Sequence, residues 1–308
     1  MRIFYNANGG FQSIGHTADG QVLTLDNHAR LAGWDVAANQ PDRLFTVSLV
    51  GYQSWAVLKG LRSTNGTVAV LAAGSFHRYN LAAKTELPPF IPGEGRVAEL
   101  SEDGTLAVVI DPGTVRWRLW DVNSNAALPD HFELPHESPI NFRYNPVLAP
   151  DNKTYVVSVA TDGRMLLWNR GEPKARTLMW SRPGRHYPLL AFSPDARFLL
   201  AAQISRNGKV GIWDLPEGKL RWSLPQEVFV WAVAVHPSGN FVAVATVGGP
   251  TGRVVRFLDA ATGAELKQFD WNAGGAKVGR VRCLAFSPDG LTCAAGCSDR
   301  RLVVWDVD

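Results

Sequence analysis

Histidine and serine residues that could bind a metal ion or act in catalysis occur in this sequence without the spacing that such chemistry needs. His131 and His136 flank the segment FELP, which is not the His-Glu-x-x-His spacing that brings two imidazoles to one face of a helix. There is no Gly-x-Ser-x-Gly motif, and the glycine-rich segment 248–252 lacks the Gly-Lys-Ser/Thr ending of a phosphate-binding loop. The sequence therefore predicts no catalytic residues, no metal ligands and no cofactor.

The three cysteines, Cys283, Cys293 and Cys297, all lie near the C-terminal end of the sequence. An odd number confined to one region argues against a disulfide framework. Cys293 and Cys297 are four residues apart, but no further Cys or His follows at the spacing of a zinc site. We expect free thiols that pack as small apolar side chains.

The bulk composition is that of a soluble globular protein. Of 308 residues, 46% are hydrophobic and 19% are charged, so the chain can bury a large core in one or two domains. No apolar stretch of signal-peptide length follows Met1, and the longest apolar runs, such as 229–235, are too short to cross a bilayer. We expect a cytoplasmic protein.

A Trp-Asp pair, or a near variant of it, ends an apolar run seven times at spacings of 41 to 48 residues. This period matches a four-stranded propeller blade. The seven pairs are Trp34-Asp35, Tyr79-Asn80, Trp120-Asp121, Trp168-Asn169, Trp213-Asp214, Leu258-Asp259 and Trp305-Asp306.

A second mark recurs between the pairs and predicts a β-hairpin in each repeat. It reads TADG at 17–20, STNG at 63–66, SEDG at 101–104, APDN at 149–152, SPDA at 193–196, HPSG at 236–239 and SPDG at 287–290. Gly, Asn and Asp tolerate the positive φ that such turns require. The sixth repeat then parses into strands at 228–235, 241–247, 253–258 and 265–269. The seventh repeat has only three strands, and we expect residues 2–5 to supply its fourth, which makes 1–308 one closed domain.

With these repeats the chain resembles the WD-repeat β-propeller family. The resemblance is carried by Trp34-Asp35, Trp120-Asp121, Trp213-Asp214 and Trp305-Asp306 and by the turns FSPD at 192–195 and FSPDG at 286–290. It implies an all-β fold, a seven-bladed propeller of four-stranded antiparallel sheets. It also implies a non-enzymatic protein-interaction scaffold, although the fold hosts many functions.

The repeats depart from the full family pattern, in which a His, a Ser or Thr, an Asp and the Trp form a buried hydrogen-bond network. No repeat has a His about ten residues before its hairpin turn, and Tyr79 and Leu258 replace two of the tryptophans. The Asp is found six residues before the Trp as Asp299 and Asp162, with Asn207 in the fifth repeat. We therefore expect incomplete networks, which leave buried polar groups that must be compensated at about 1–3 kcal/mol each.

The resemblance implies that partners bind at the face where the first strand of each blade starts. Aligned on the hairpin turns, repeats 3 to 7 place aromatic and arginine side chains at equivalent positions there. These residue types dominate interface hot spots because they bury much area with few rotors. The predicted partner-binding residues are Phe142, Tyr144, Arg185, His186, Phe229, Trp231, Arg280 and Arg282.

We expect the partner to be a protein or peptide, acidic or phosphorylated, bound by a monomer. Nucleic acid is disfavoured because the net charge is only +3 and the basic residues form no long stripe. Two alternatives stay open. One is a propeller enzyme, hydrolase or lactonase-like, with a metal site at the central axis, and the other is a sensor propeller related to multidomain regulators.

Overall fold

A computed structural model of the chain describes most of its strands. The described residues are 1–6, 9–28, 30–36, 42–48, 56–59, 66–72, 75–88, 95–111, 116–133, 144–159, 163–172, 174–179, 188–204, 208–225, 229–247, 253–270 and 279–308. Within these residues the secondary structure consists of β-strands and turns, with no helix. The chain divides into two compact units, unit 1 (Met1–Val57 and Pro188–Asp308) and unit 2 (Leu58–Tyr187). The prediction of a single domain over 1–308 stays a prediction.

Unit 1 contains four sheets, each of four antiparallel strands. Sheet 1 consists of β2 (Phe11–His16), β3 (Val22–Asp26), β4 (Arg30–Asp35) and β5 (Asp42–Ser48). Sheet 5 consists of β18 (Pro188–Phe192), β19 (Phe198–Gln203), β20 (Lys209–Asp214) and β21 (Lys219–Pro225). Sheet 6 consists of β22 (Phe229–Val235), β23 (Phe241–Val247), β24 (Arg253–Asp259) and β25 (Glu265–Asp270). Sheet 7 consists of β1 (Arg2–Tyr5), β26 (Val281–Phe286), β27 (Thr292–Cys297) and β28 (Arg301–Asp306).

Three further sheets follow the same order, and the boundary between the units falls within β6, the first strand of sheet 2. Sheet 2 consists of β6 (Ala56–Lys59), β7 (Thr67–Ala72), β8 (Ser75–Asn80) and β9 (Thr85–Glu86). Sheet 3 consists of β10 (Arg96–Leu100), β11 (Leu106–Ile110), β12 (Arg116–Asp121) and β13 (Ala126–Glu133). Sheet 4 consists of β14 (Tyr144–Leu148), β15 (Thr154–Val159), β16 (Arg164–Asn169) and β17 (Arg176–Met179).

Strand β1 completes sheet 7, as the repeat count predicts. It pairs antiparallel with β28, with Ile3 opposite Val303 and Phe4 opposite Leu302. Phe4 also packs against Trp34 of sheet 1, at a ring-centroid distance of 6.1 Å. The all-β fold of seven four-stranded antiparallel sheets is therefore confirmed, and the strands of sheet 6 match their predicted bounds to within one residue.

Where the structure describes them, the hairpin turns between first and second strands form as predicted, and the fourth residue of every turn motif is described. Their fourth residues all have positive φ, from 55° to 85°: Gly20, Gly66, Gly104, Asn152, Ala196, Gly239 and Gly290. In sheet 7 the turn is closed by the amide of Gly290, which donates to the carbonyl of Ser287 at 2.9 Å. The carboxylate of Asp289 accepts from the Ser287 hydroxyl and the Leu291 amide, and these hydrogen bonds lower the pKa of Asp289.

The core of unit 1 lies between neighbouring sheets. Between sheets 6 and 7 it contains Ala243, Phe257, Phe286, Cys293 and Trp305. Between sheets 7 and 1 it contains Phe11, Trp34 and Val304. Both faces of the inner strands are buried, which explains their nearly continuous apolar sequences.

The repeated tryptophans of unit 1, Trp34, Trp213 and Trp305, are buried, but the hydrogen bonding of their indole N–H groups differs. The indole of Trp34 donates to the hydroxyl of Thr24 at 2.7 Å. Trp213 is also buried, yet its N–H has no partner among the described residues, because the position equivalent to Thr24 in the strand register is Ala201. The expected incompleteness of the hydrogen-bond networks is thus seen in sheet 5, while sheet 1 keeps the Trp–Thr half.

Candidate functional site

The structure brings together three of the predicted partner-binding residues, Trp231, Arg280 and Arg282, in unit 1. Trp231 lies near the start of β22, the first strand of sheet 6, and Arg282 near the start of β26, the first strand of sheet 7. Arg280 precedes β26 by one residue. Both strands run from this end to a hairpin turn at the other, so the three residues lie at the end opposite the turns.

The two guanidinium groups both stack on the same indole. The guanidinium carbon of Arg280 lies 5.6 Å from the ring centroid of Trp231, and that of Arg282 lies 5.3 Å from it. Both distances fall within the range of a cation–π interaction. We call these three side chains the Trp231 cluster.

Trp231 and Arg282 each lie at a β-bulge, where the regular pairing between the strands is interrupted. In sheet 6 the pairs Val230–Thr246 and Ala232–Ala245 skip Trp231. In sheet 7 the pairs Val281–Cys297 and Cys283–Gly296 skip Arg282. Bulges re-aim side chains and recur next to functional sites.

Sheet 1 has the same bulge at the aligned position. Its pairs Phe11–Asp26 and Ser13–Leu25 skip Gln12, five residues before the hairpin turn, as Trp231 and Arg282 are in their repeats. The residue type of Gln12 does not mark it as a binding residue in the sequence. The register break is the signal that places it with the other two.

Burial alternates along the start of β26 and directs both arginines to the same side. Val281 is only 3% exposed and belongs to the core, whereas Arg280 and Arg282 on either side of it are exposed. Residues two apart in extended chain project from the same face of a strand. The basic pair is therefore presented to solvent and not used in the core.

The backbone that carries Arg280 is fixed on both sides. Its amide donates to the Ser298 hydroxyl at 3.0 Å, and its carbonyl accepts from the Ser298 amide at 2.8 Å. The neighbouring Gly279 amide donates to the carboxylate of Asp299. A side chain at Gly279 would collide with Asp299, because a Cβ there would lie 2.5 Å from the carboxyl carbon. Pre-organisation of this kind lowers the entropic cost of binding.

Asp299 has a different role from the one its spacing to Trp305 suggests. Besides the Gly279 amide, it binds the guanidinium of Arg301 at 3.2 Å, and Arg301 in turn lies 5.8 Å from the ring centroid of Tyr5. No described carboxylate forms an ion pair with Arg280 or Arg282. Among the residues that the structure describes, the positive charge of the Trp231 cluster is therefore not balanced by an ion pair.

The other predicted site residues are not joined to this cluster. Phe229 begins β22 and is 40% exposed, one of few large apolar side chains so accessible in the described chain. Tyr144 begins β14 in unit 2, where its backbone pairs with Val159. Phe142, Arg185 and His186 lie outside the described residues.

The remaining titratable groups show no arrangement for metal binding among the described residues, where no three His, Cys, Asp or Glu side chains converge. Cys283, Cys293 and Cys297 form no disulfide. His16, at the end of β2, is buried, and desolvation lowers its pKa to about 4 despite the opposing charge of Asp289. Neither of its ring nitrogens has a hydrogen-bond partner among the described residues.

A comparison with known families gives the lineage of these repeats. The "WD domain, G-beta repeat" family matches residues 190–214, from within β18 to the end of β20, and residues 272–306, which include β26 to β28. Both segments contain a Trp-Asp pair and an SPD turn, which are the repeated marks described above. The chain therefore contains WD repeats of this family over these residues.

The chain is also similar to curated proteins over half of its length or more. It is 28% identical over 199 residues to "WD repeat-containing protein SL1-17" of Schistosoma mansoni, which covers 64% of this chain and 60% of the relative. It is 28% identical to "Small ribosomal subunit protein RACK1" of Caenorhabditis elegans over 52% of this chain and 48% of the relative. It is 27% identical to "Small ribosomal subunit protein RACK1y" of Oryza sativa subsp. japonica over 54% and 47%. The chain thus spans about half to three fifths of the length of these relatives. No helix among the described residues is long and apolar enough to cross a membrane.

Proposed function

We propose that this WD-repeat protein is a non-enzymatic, cytoplasmic interaction scaffold that binds a protein or peptide partner through the Trp231 cluster. The observation that carries the proposal is the stacking of Arg280 and Arg282 on Trp231 at 5.6 and 5.3 Å, in a position where both guanidinium groups face solvent. The similarity to other WD-repeat proteins supports a binding role in general.

The residue types and their setting fit a binding hot spot better than a packing contact. Trp and Arg are the residues most enriched where truncation costs an interface more than about 2 kcal/mol. A pair of stacked arginines also loses less side-chain entropy on binding, because the indole already restricts it. Exposed Phe229, two residues before Trp231, adds apolar surface at the start of the same strand.

The other partner-binding residues predicted from the sequence stay predictions. Phe142, Tyr144, Arg185 and His186 occupy equivalent sequence positions in repeats 4 and 5 or adjoin them. We include Gln12 because its bulge repeats those at Trp231 and Arg282. The surface is then made of residues that differ from repeat to repeat.

The test compares a double variant, Trp231→Ala with Arg282→Ala, with the wild type in capture from lysate of the source organism. Captured proteins are identified by mass spectrometry. We expect the double variant to lose the specific partner while its melting temperature falls by less than about 4 °C, since both side chains face solvent at least in part.

A matched control removes one large apolar side chain and one arginine elsewhere in unit 1. The control variant is Leu220→Ala with Arg197→Ala, because both residues are exposed. The guanidinium group of Arg197 forms no ion pair among the described residues. This control should keep the partner. Unchanged capture by the Trp231 variant, or a melting temperature lowered by far more than that of the control, would contradict the proposed surface.

A further inference from the structure

We propose that the Trp231 cluster recognises a phosphorylated serine or threonine in the partner's peptide chain. This inference rests on the proposed function and specifies its chemistry. The cluster is the place in the described chain where two guanidinium groups meet at one aromatic ring without a carboxylate between them.

The charge of the cluster matches a dianion better than a single carboxylate. Arg280 and Arg282 together carry two positive charges, and the nearby acid Asp299 is already bound by Arg301 and the Gly279 amide. A phosphate ester carries a charge of about −1.5 to −2 at neutral pH, whereas one Asp or Glu carries only −1. One phosphate group can therefore neutralise both arginines.

The geometry of the cluster also leaves the required donors available. A guanidinium that stacks on a ring uses its flat face and keeps its N–H edge for hydrogen bonds. None of the side-chain nitrogens of Arg280 or Arg282 donates a hydrogen bond to a described residue. Five N–H donors on each arginine can thus meet the three acceptor oxygens of a phosphate, in charge-assisted hydrogen bonds about twice as strong as neutral ones.

The fixed backbone supports the same conclusion. Hydrogen bonds of the Arg280 amide and carbonyl to Ser298 fix the backbone from which this side chain projects, and a bulge sets the backbone at Arg282. A long arginine side chain otherwise loses about 2 kcal/mol of rotamer freedom when it is ordered.

The experiment measures binding to peptide arrays with randomised flanks and a fixed central residue, which is phosphoserine, phosphothreonine, serine or glutamate. We expect the phosphorylated sets to bind at least tenfold more tightly than the serine set and more tightly than the glutamate set. Arg280→Gln with Arg282→Gln should lose at least tenfold, while Arg197→Gln, which removes one of the chain's positive charges from an exposed turn, should bind as wild type.

The pH dependence of binding supplies a second measurement, because a phosphate ester gains a proton between pH 7.5 and pH 5.5 and a glutamate side chain does not. The second pKa of a phosphate ester is about 6, so binding of the phosphorylated peptides should weaken from pH 7.5 to pH 5.5, whereas binding of glutamate peptides should not. Equal binding of all four sets, no binding of any set, or undiminished binding by the double variant would each overturn the inference. So would competition by a single-stranded RNA of mixed sequence at equal concentration, since that would indicate general affinity for phosphates.

The failure of this inference can be told apart from failure of the proposed function. Treating the lysate with a protein phosphatase before capture should abolish the partner that depends on Trp231 and Arg282. Capture that survives dephosphorylation but is still lost in the Trp231→Ala, Arg282→Ala variant retains the scaffold function and rejects the phosphate. Capture that is insensitive to that variant rejects both.

Discussion

Sheets 1 and 6 place the same residue types in opposite roles. In sheet 1 the tryptophan, Trp34, is 2% exposed on the third strand and is hydrogen-bonded to Thr24. In sheet 6 the third strand carries Leu258 at that position, and the tryptophan of the sheet, Trp231, lies on a bulge of the first strand beneath two arginines. One indole stabilises the fold, and the other is presented at the surface.

The histidines of the two sheets show the reverse contrast. His236, at the hairpin turn of sheet 6, is bonded through one ring nitrogen to the Ser238 hydroxyl at 2.7 Å and through the other to the Gly290 carbonyl at 3.0 Å. It also stacks on Phe241 with ring centroids 4.1 Å apart. His16, at the hairpin turn of sheet 1, is buried with neither ring nitrogen bonded among the described residues.

Residue type alone therefore does not determine the role of a side chain in this repeat protein. A side chain at the repeated position packs against the neighbouring sheet, because every repeat must bury the same face. A side chain that breaks the ladder is released from that requirement. The register therefore separates the residues that build the fold from those available for binding.

The largest expected effect tests the two tryptophans against each other. Trp34→Ala should lower the free energy of unfolding by about 3–5 kcal/mol, because it leaves a cavity beside Phe4 and Phe11. Trp231→Ala should lower it by about 1 kcal/mol, since solvent already reaches that side chain. Urea denaturation followed by circular dichroism measures both free energies. Equal losses would show that the two indoles contribute equally to the stability of the fold.

The next effect concerns the pH dependence of stability in sheet 1. His16 has a pKa of about 4 in the folded protein against 6.5 in the unfolded chain, so below pH 6.5 the unfolded state binds a proton that the folded state excludes. The stabilisation is complete above pH 6.5 and is lost as the pH falls towards 4. The total loss is about 3 kcal/mol, at about 1.4 kcal/mol for each unit of pKa.

Replacing the imidazole by an apolar group isolates this contribution. His16→Leu should equal or exceed the wild type in stability at pH 7, because it removes two unbonded buried nitrogens. Its advantage should grow by about 2 kcal/mol between pH 7 and pH 5. If the difference in the free energy of unfolding between His16→Leu and the wild type is the same at pH 7 and pH 5, His16 is not buried as a neutral ring.

The smallest effect tests the hydrogen bond of Trp34. Thr24→Val keeps the shape of the side chain but leaves the buried indole N–H without an acceptor, which should cost about 1–3 kcal/mol. The reciprocal change in sheet 5, Ala201→Ser, offers the Trp213 N–H an acceptor and should stabilise by up to about 1 kcal/mol. Differential scanning calorimetry of Thr24→Val and Ala201→Ser measures both changes in stability. An unchanged stability of Thr24→Val would contradict a contribution of the Trp34 hydrogen bond.

Much of the architecture follows from the sequence because it is repeated locally. Asp-Gly and Asn-Gly turns need positive φ at their last residue, and this requirement holds even for Asn152 and Ala196. The completion of sheet 7 by Arg2–Tyr5 also follows, because seven repeats with one strand missing leave only that segment to fill it. These are inferences about backbone geometry and counting.

The candidate site was predictable only in its residue types. Aligning the turns placed Trp231, Arg280 and Arg282 at equivalent positions, but their stacking depends on how sheets 6 and 7 pack. Gln12 carried no chemical signal, and Asp299 was expected in a network with Trp305 but is found with Gly279 and Arg301. Contacts between repeats join residues about 50 positions apart, and single-repeat patterns do not contain them.

The sequence by itself determined the strand order, the turns and the number of four-stranded sheets, since local backbone preferences and apolar periodicity recur in every repeat. Only the tertiary structure decided which side chains leave the ladder, which buried N–H groups find an acceptor and which arginines stay without a carboxylate. The physical reason is that bulges, burial and charge pairing depend on the neighbouring sheet, and the identity of that neighbour's facing residue is not encoded within the repeat.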